Sequence, residues 1–240
     1  MNLQASHITI GYGRKPVFYD ISFSAREGEM IALLGVNGIG KSTLLKTISG
    51  LQSVLAGELI LAGKPLLQIP VQERARYLSL VLTERIWIEH ITVRSFIELG
   101  RAPYTGWQGA LTDADKVAIE EVIMLTGLQK LLPKLFNELS DGERQKVLIA
   151  RALCQATPII ILDEPTAFLD FRNKQEVLEL LQKVCRESRK TVILSTHDID
   201  KSLELCNKCW VMTEDKAFTE LPINANESKQ LIKRTLGVRD

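Results

Sequence analysis

The chain has 240 residues, 30 Lys and Arg against 29 Asp and Glu, and a formal net charge of +1. That length can bury a sizeable core, and the balanced charge gives no basic excess to mark a nucleic-acid partner. No apolar run approaches the roughly 18–20 residues that a membrane span needs, and Met1 to His7 lack the basic-then-apolar pattern of a secretory signal, so the chain is expected in the cytoplasm.

Leu3 to Ile10 and Val17 to Ala25 read as strands. Met30 to Leu34 is continuously apolar, the pattern of a strand buried on both faces. Gly35 to Thr43 then reads GVNGIGKST, fitting G-x-x-x-x-G-K-[ST] with Gly35, Gly40, Lys41 and Ser42 at the fixed positions. The chemistry explains the spacing. Gly35, Gly38 and Gly40 let successive backbone N–H groups turn inward on an anion. Lys41 adds a point charge for the β- and γ-phosphates, and the Ser42 hydroxyl can ligate Mg²⁺. Asn37 and Thr43, in the same stretch, complete the nucleotide-binding set on this loop. Leu44, Leu45, Ile48 and Leu51 recur at helical spacing with Gly50 as the helix end, so the positive helix terminus faces the phosphates.

Gly57 to Leu61 is a further short strand, stopped by Gly63-Lys64-Pro65, and these early strands read as antiparallel and local. Tyr77 to Leu82 is an apolar strand. From about Glu84 to Asn137 the pattern becomes helical. Thr92 caps a helix carrying Val93, Phe96 and Ile97, Pro103 to Trp107 is a loop, and Thr112 opens a helix with Ile119, Val122, Ile123 and Leu125. In Leu139-Ser140-Asp141-Gly142-Glu143, Ser140 and Glu143 have the spacing of a capping box. The same helix end, with Gly142 and its free N–H groups, suits a second phosphate-binding surface, and spacing alone does not decide between the two.

Val147 to Leu153 is helical, and Pro158 to Leu162 is a buried strand that delivers Asp163 and Glu164 at its carboxyl end, where open α/β sheets bind ligands. Asp163 suits a Mg²⁺ role through a bound water, and Glu164 suits a general base or a group that polarises the attacking water; the alternative is a pair of solvated turn acids. Val177, Leu180, Leu181 and Val184 mark a helix, and Thr191 to Ser195 a buried strand. His197 follows, placed either to touch a γ-phosphate and its attacking water or merely to cap a helix. A helix to about Asn207, a strand at Trp210 to Met212 and a weak amphipathic helix around Leu231, Ile232 and Leu236 complete the pass. The alternation predicts a mostly parallel sheet with helices on both faces. Cys206 and Cys209 form a C-x-x-C without a second pair to complete a zinc set, and all four cysteines read as free thiols.

Together these residues resemble the ATP-binding cassette (ABC) family, with the motifs in the family's order from Tyr12 to about Met212. GVNGIGKS is similar to Walker A, LSDGE to the signature usually written LSGGQ, and IIILDE to Walker B. Ala167 to Asp170 sits where the D-loop belongs, His197 where the switch histidine does, and Tyr12 matches the aromatic that stacks on adenine. Glu84 stands where the family usually has Gln, and Asp141 and Glu143 replace Gly and Gln of the signature.

The resemblance implies an α/β P-loop NTPase with a RecA-like core sheet, an N-terminal antiparallel β-subdomain and an inserted helical subdomain at about 85–137. One ATP-binding domain would span 1–240, with a tail at about 219–240. It implies an ATPase with catalytic Lys41, Glu164 and His197. ATP would be held by Tyr12, the glycine loop and, from a second cassette in a homodimer, Ser140, Gly142 and Glu143. Mg²⁺ would be held by Ser42, Asp163 and Glu84. The implied partners are multi-span permease subunits and, indirectly, an extracytoplasmic substrate-binding protein, with the chain peripheral on the cytoplasmic side of the membrane. Ile91 to Arg94 and Glu98 to Tyr104 resemble cassettes of iron–siderophore, haem and cobalamin importers. Competing readings are a soluble cassette that remodels protein complexes and a regulatory ATP binder with weak turnover.

Overall fold

The computed structural model describes residues 3–83, 88–223 and 226–236. In chain order the elements are β1 (Leu3–Tyr12), β2 (Lys15–Ala25), β3 (Met30–Leu34), α1 (Lys41–Ile48), β4 (Ala56–Leu61), β5 (Lys64–Pro65), α2 (Val71–Arg74), β6 (Leu78–Val81), α3 (Val93–Glu98), α4 (Asp113–Thr126), α5 (Asp141–Cys154), β7 (Ile159–Leu162), α6 (Phe171–Ser188), β8 (Thr191–Ser195), α7 (Ile199–Leu205), β9 (Lys208–Met212), β10 (Phe218–Pro222) and α8 (Asn226–Thr235).

They build two sheets. The first is antiparallel, in the order β2-β1-β4-β5. The second runs β10-β9-β3-β8-β7-β6; the neighbours from β9 to β6 are parallel, and β10 adds an antiparallel edge. Strand β3 explains its own sequence: Ile31 and Leu33 enter one apolar cluster, while Met30, Ala32 and Leu34 enter another on the opposite face. A strand buried on both faces has no polar side to show. The first cluster joins the antiparallel sheet, through Ile8, Phe18 and Ile21, to α1, through Leu44, Leu45 and Ile48. The second joins the strands to α3, α4, α5 and α6, with Phe96, Ile123, Val147 and Leu181 among its members.

The antiparallel early strands, the Thr92 and Thr112 caps and the parallel core match the sequence reading. Three details differ. Strand β4 ends at Leu61 as expected, but Gly63-Lys64-Pro65 is more than a stop: Ala62 and Gly63 both take left-handed φ, of 52° and 80°, and turn Lys64–Pro65 back onto β4. Leu51 is not on the helix; α1 ends at Ile48, Gly50 takes φ +75°, and Leu51 is exposed beyond it. Strand β10 and the single-turn α2 carry no periodicity that would announce them.

Between α3 and α4 the chain is pinned by a buried ion pair. Arg101 Nε donates to Asp115 Oδ1 at 2.8 Å and Arg101 Nη1 to the Cys154 carbonyl at 2.9 Å, while its guanidinium lies 4.0 Å from the Tyr104 ring centroid. This ties the turn after α3 to both α4 and α5.

Candidate active site

Parallel pairing brings three loops to one sheet edge. Leu33 of β3 is opposite Ser195 of β8, and Leu162 of β7 is opposite Leu194, so the chain leaves β3, β7 and β8 side by side. Gly35 begins the first loop with φ +154°, and a Cβ there would lie 2.7 Å from the Met212 carbonyl, so only glycine fits. Helix α1 starts behind Gly40, with no side-chain cap and no acid in its first turn, which leaves its positive end open to an anion.

Lys41 is the first residue of that helix and is only 6% exposed. Its Nζ donates to the carbonyls of Gly35 at 2.8 Å and Val36 at 3.2 Å. Burial pulls its pKa below the usual lysine value, and the carboxylates of Glu164 and Asp163 work against that fall. A cleft of ≈ 330 Å³ opens beside it, lined by Tyr12, Val17, Asn37, Gly38, Gly40, Lys41, Ser42, Thr43 and Glu164. Tyr12 comes from the end of β1 in the other sheet, and its hydroxyl oxygen accepts from Thr43 Oγ1 at 3.1 Å, leaving a half-exposed ring at the cleft wall. The antiparallel sheet thus supplies an aromatic platform to the phosphate-binding loop that follows β3 of the mostly parallel sheet. Val17, read in the sequence only as the start of a strand, is the apolar part of the same wall.

The acids follow β7. Asp163 is buried and its Oδ1 accepts from Ser195 Oγ at 2.6 Å, while Thr83 Oγ1 donates to the Asp163 carbonyl at 2.9 Å. Glu164 has a left-handed φ of 45°, its N–H donates to the same Ser195 hydroxyl at 2.8 Å, and its side chain reaches the cleft. His197 Nδ1 stands 4.0 Å from Glu164 Oε2, with its ring largely exposed. Lys41, Asp163, Glu164 and His197 therefore form one neighbourhood. Ser195 was not singled out in the sequence, because a serine closing an apolar strand carries no motif. Its signal is the strand register, which sequence does not give.

The other predicted residues sit at the start of α5 and do not line this cleft. Ser140 and Glu143 form the expected capping box: Ser140 N and Oγ both donate to Glu143 Oε2 at 2.9 Å, and Glu143 N donates back to Ser140 Oγ at 3.3 Å. Lys134 Nζ pairs with Glu143 Oε1 at 3.2 Å, and Arg144 pairs with Asp141 at 3.3 Å. Gly142 is buried against α6, where an added Cβ would meet the Asn173 side chain at 2.8 Å. Asn173 in turn donates through N and Nδ2 to Asp170, the cap of α6, so the starts of the two helices are packed as one piece.

The donor set fits a hard divalent cation. A hydroxyl at Ser42 on an uncapped helix start and a carboxylate at Asp163, both beside Lys41, are the oxygen ligands that Mg²⁺ prefers. Glu84 lies outside the described residues. The four cysteines are buried and unpaired; burial raises the Cys154 thiol to about 11 and Cys209 to about 12.

A second concavity, of ≈ 350 Å³, lies between α1, α2, β6 and α5. Its lining includes Leu78, Leu80, Leu82 and Leu148, with Ser49, Arg74, Arg151 and Gln155 as its polar residues and none of the phosphate-loop residues. Among the described residues no helix is long and apolar enough to cross a membrane.

Comparison with known proteins gives the same direction. The profile of the ABC transporter family matches residues 18–167. An ABC transporter ATP-binding protein of Methanocaldococcus jannaschii is 38% identical over 90% of this chain and 74% of its own. The iron(3+)-hydroxamate import ATP-binding protein FhuC of Bacillus subtilis is 33% identical over 83% of this chain and 74% of its own. Among solved structures, a dimeric ATP-binding cassette in a post-hydrolysis state with ADP and Pi superposes with a TM-score of 0.80 at 25% identity, over 93% of this chain and 99% of that one.

Proposed function

This chain belongs to the ABC transporter family, and on that premise we propose that it is the ATP-hydrolysing subunit of an importer for an iron chelate (siderophore or haem) or cobalamin. The observation that carries the ATPase reading is the meeting of Tyr12, Lys41, Ser42 and Glu164 in one cleft. An aromatic face for a base, a buried cation and open helix end for phosphates, and a carboxylate for water are the parts that phosphoryl transfer to water requires. The import reading is supported by the kinship with FhuC and by the resemblance of Ile91 to Tyr104 to chelate-importer cassettes.

In this reading ATP stacks on Tyr12, and its phosphates lie along the amides from Asn37 to Thr43. Lys41 stabilises negative charge on the γ-phosphate. Glu164 accepts the proton of the attacking water, and His197 orients that water and the phosphate. Ser42, Asp163 and Glu84 would hold Mg²⁺, which would supply charge neutralisation at the phosphates when bound. Ser140, Gly142 and Glu143 of a second copy close over the nucleotide, because within one chain they stand away from its own cleft. We assign residues 1–240 to one ATP-binding domain, with the segment at about 85–137 as a helical subdomain and about 219–240 as a tail. We propose that the leucine-lined groove at β6 and α5 receives a cytoplasmic segment of a multi-span permease, in which case the chain would lie on the cytoplasmic face of the membrane. A substrate-binding protein acts only through that permease.

Affinity purification from detergent-solubilised membranes tests the transport part. A multi-span partner should co-purify and raise ATP turnover. Recovery of the chain without one, with turnover unaffected by membrane extracts, would instead favour a soluble remodelling ATPase.

A further inference from the structure

We infer that Ser195 is a positioning residue for ATP hydrolysis: its single buried hydroxyl fixes the Asp163 carboxylate and the Glu164 backbone together. This rests on the nucleotide-hydrolysing reading of the cleft.

A serine hydroxyl has one proton to give and lone pairs to receive. At Ser195 both functions are spoken for. The Glu164 N–H can only donate, and it points at Oγ from 2.8 Å. The hydroxyl proton is thereby directed to Asp163 Oδ1, 2.6 Å away, a short charge-assisted bond. Ser195 is 0% exposed, so no solvent substitutes for either bond. The residues before it in β8, Val192, Ile193 and Leu194, are apolar and buried, which leaves this hydroxyl as the polar end of the strand.

The position follows from register. Leu194 is opposite Leu162, so the next residues on the two strands, Ser195 and Asp163, emerge side by side. The Thr196 N–H donates to the Leu33 carbonyl at 3.2 Å and holds the end of β8 against β3, the strand that launches the phosphate loop. Ser195 thus references the acids to the loop that holds Lys41.

Glu164 needs such a reference. Its φ of 45° is a left-handed conformation that non-glycine residues keep only where the surroundings impose it. Two bonds impose it here: its N–H is held by Ser195, and its carbonyl accepts from the Ala167 N–H at 3.0 Å. The resulting turn carries the Glu164 side chain into the cleft wall and to 4.0 Å from His197. Without the hydroxyl, Asp163 and Glu164 lose their common anchor while the phosphate loop and Tyr12 remain intact.

The test is steady-state ATPase of the full chain with its membrane partner for wild type, S195A, S195C and S195T, with ATP affinity and the denaturation midpoint measured on each. S195C keeps the size of serine with a weak donor, and S195T keeps the hydroxyl. S195A and S195C should lose kcat by about 10–100-fold, the usual consequence of removing a residue that orients a ligand or base. KM and ATP affinity should change far less than kcat, since Tyr12, Lys41 and the loop amides proposed to hold ATP are untouched. S195T should recover most of the rate. In an E164Q background S195A should cost less than it does in the wild type, because the part of its effect that passes through Glu164 is already lost and only the part through Asp163 remains. Wild-type kcat in both S195A and S195C overturns the inference, as do losses that follow the denaturation midpoint and are not recovered by S195T. Wild-type turnover in E164Q would instead sink the reading of the cleft itself.

Discussion

The Lys134 ammonium lies 3.2 Å from the Glu143 carboxylate, across the turn that leads into α5. Glu143 is one of two acids, with Asp141, in a segment that resembles the signature usually written LSGGQ, a pattern without acids. The backbone N–H of Ser140 holds its pKa below the usual carboxylate range, with the Ser140 hydroxyl and Lys134 adding to that effect against burial. Lys134 is itself anchored, since its carbonyl accepts from the Val93 N–H at 2.9 Å at the start of α3. The added negative charge is therefore matched by a positive one from the same chain.

That pairing predicts an asymmetry between two substitutions. Lys134→Ala leaves the Glu143 charge uncompensated toward an incoming nucleotide and should weaken ATP-dependent dimerisation by up to about fivefold, the range of a partly exposed ion pair. Glu143→Gln removes the charge, keeps an acceptor for the capping box, and should leave dimerisation equal or stronger. Sedimentation in a non-hydrolysing E164Q background reads both. Equal dimerisation in wild type and Lys134→Ala, with loss in Glu143→Gln, would contradict the compensation.

The Tyr12 hydroxyl is engaged by Thr43, so under the proposed function its ring, rather than its hydroxyl, would meet the nucleotide. Tyr12→Ala should weaken ATP binding by about 1–3 kcal/mol, the range measured for base–aromatic stacking. Tyr12→Phe loses only the bond from Thr43 and should bind ATP nearly as wild type. Calorimetric titration distinguishes these, and equal affinity for wild type and Tyr12→Ala would remove the residue from the site.

Gly142→Ala pushes a methyl to 2.8 Å from the Asn173 side chain, where α5 meets α6. Relieving that overlap should cost about 1–3 kcal/mol of local packing and shift the start of α5. ATP binding to the isolated chain should persist, because Gly142 is remote from the cleft that contains Lys41, while ATP-driven dimerisation should fall. If binding and dimerisation fall together, the separation of the two surfaces is wrong.

Asp115 predicts an acid-stability signature. Hydrogen bonds from the Thr112 hydroxyl and backbone, then Arg101, lower its pKa from 3.8 to about 2 against the opposing effect of burial. The unfolded chain therefore holds more protons than the folded one between those values. The stabilisation is complete above the unfolded pKa and disappears as pH falls through the folded one. Melting temperature against pH should fall more steeply toward pH 2 in wild type than in Asp115→Asn. Parallel curves would show that the carboxylate contributes nothing through its charge.

Much of this site was legible in the chain because its parts are contiguous. Strand, glycine loop and helix from Met30 to Ile48 carry their own local reasons, as do the Thr92, Thr112 and Ser140 caps. Asp163 and Glu164 were legible because a fully apolar strand precedes them. Ser195 and Lys134 were not, since each acquires its role from a partner 32 and 9 residues away that only tertiary pairing reveals. The β10 edge was missed for a related reason: Phe218 to Pro222 is half-exposed and lacks alternation, and it is a strand only because β9 offers an edge.

The central claim is that this cleft hydrolyses ATP through Glu164. The most direct measurement is phosphate release by the purified chain with its membrane partner, wild type against Glu164→Gln, with bound ATP determined on the same samples. The account predicts normal ATP binding by the variant and turnover reduced by at least about a hundredfold, the scale of a lost general base. Comparable phosphate release from both proteins, or none from either with the partner present, would contradict it.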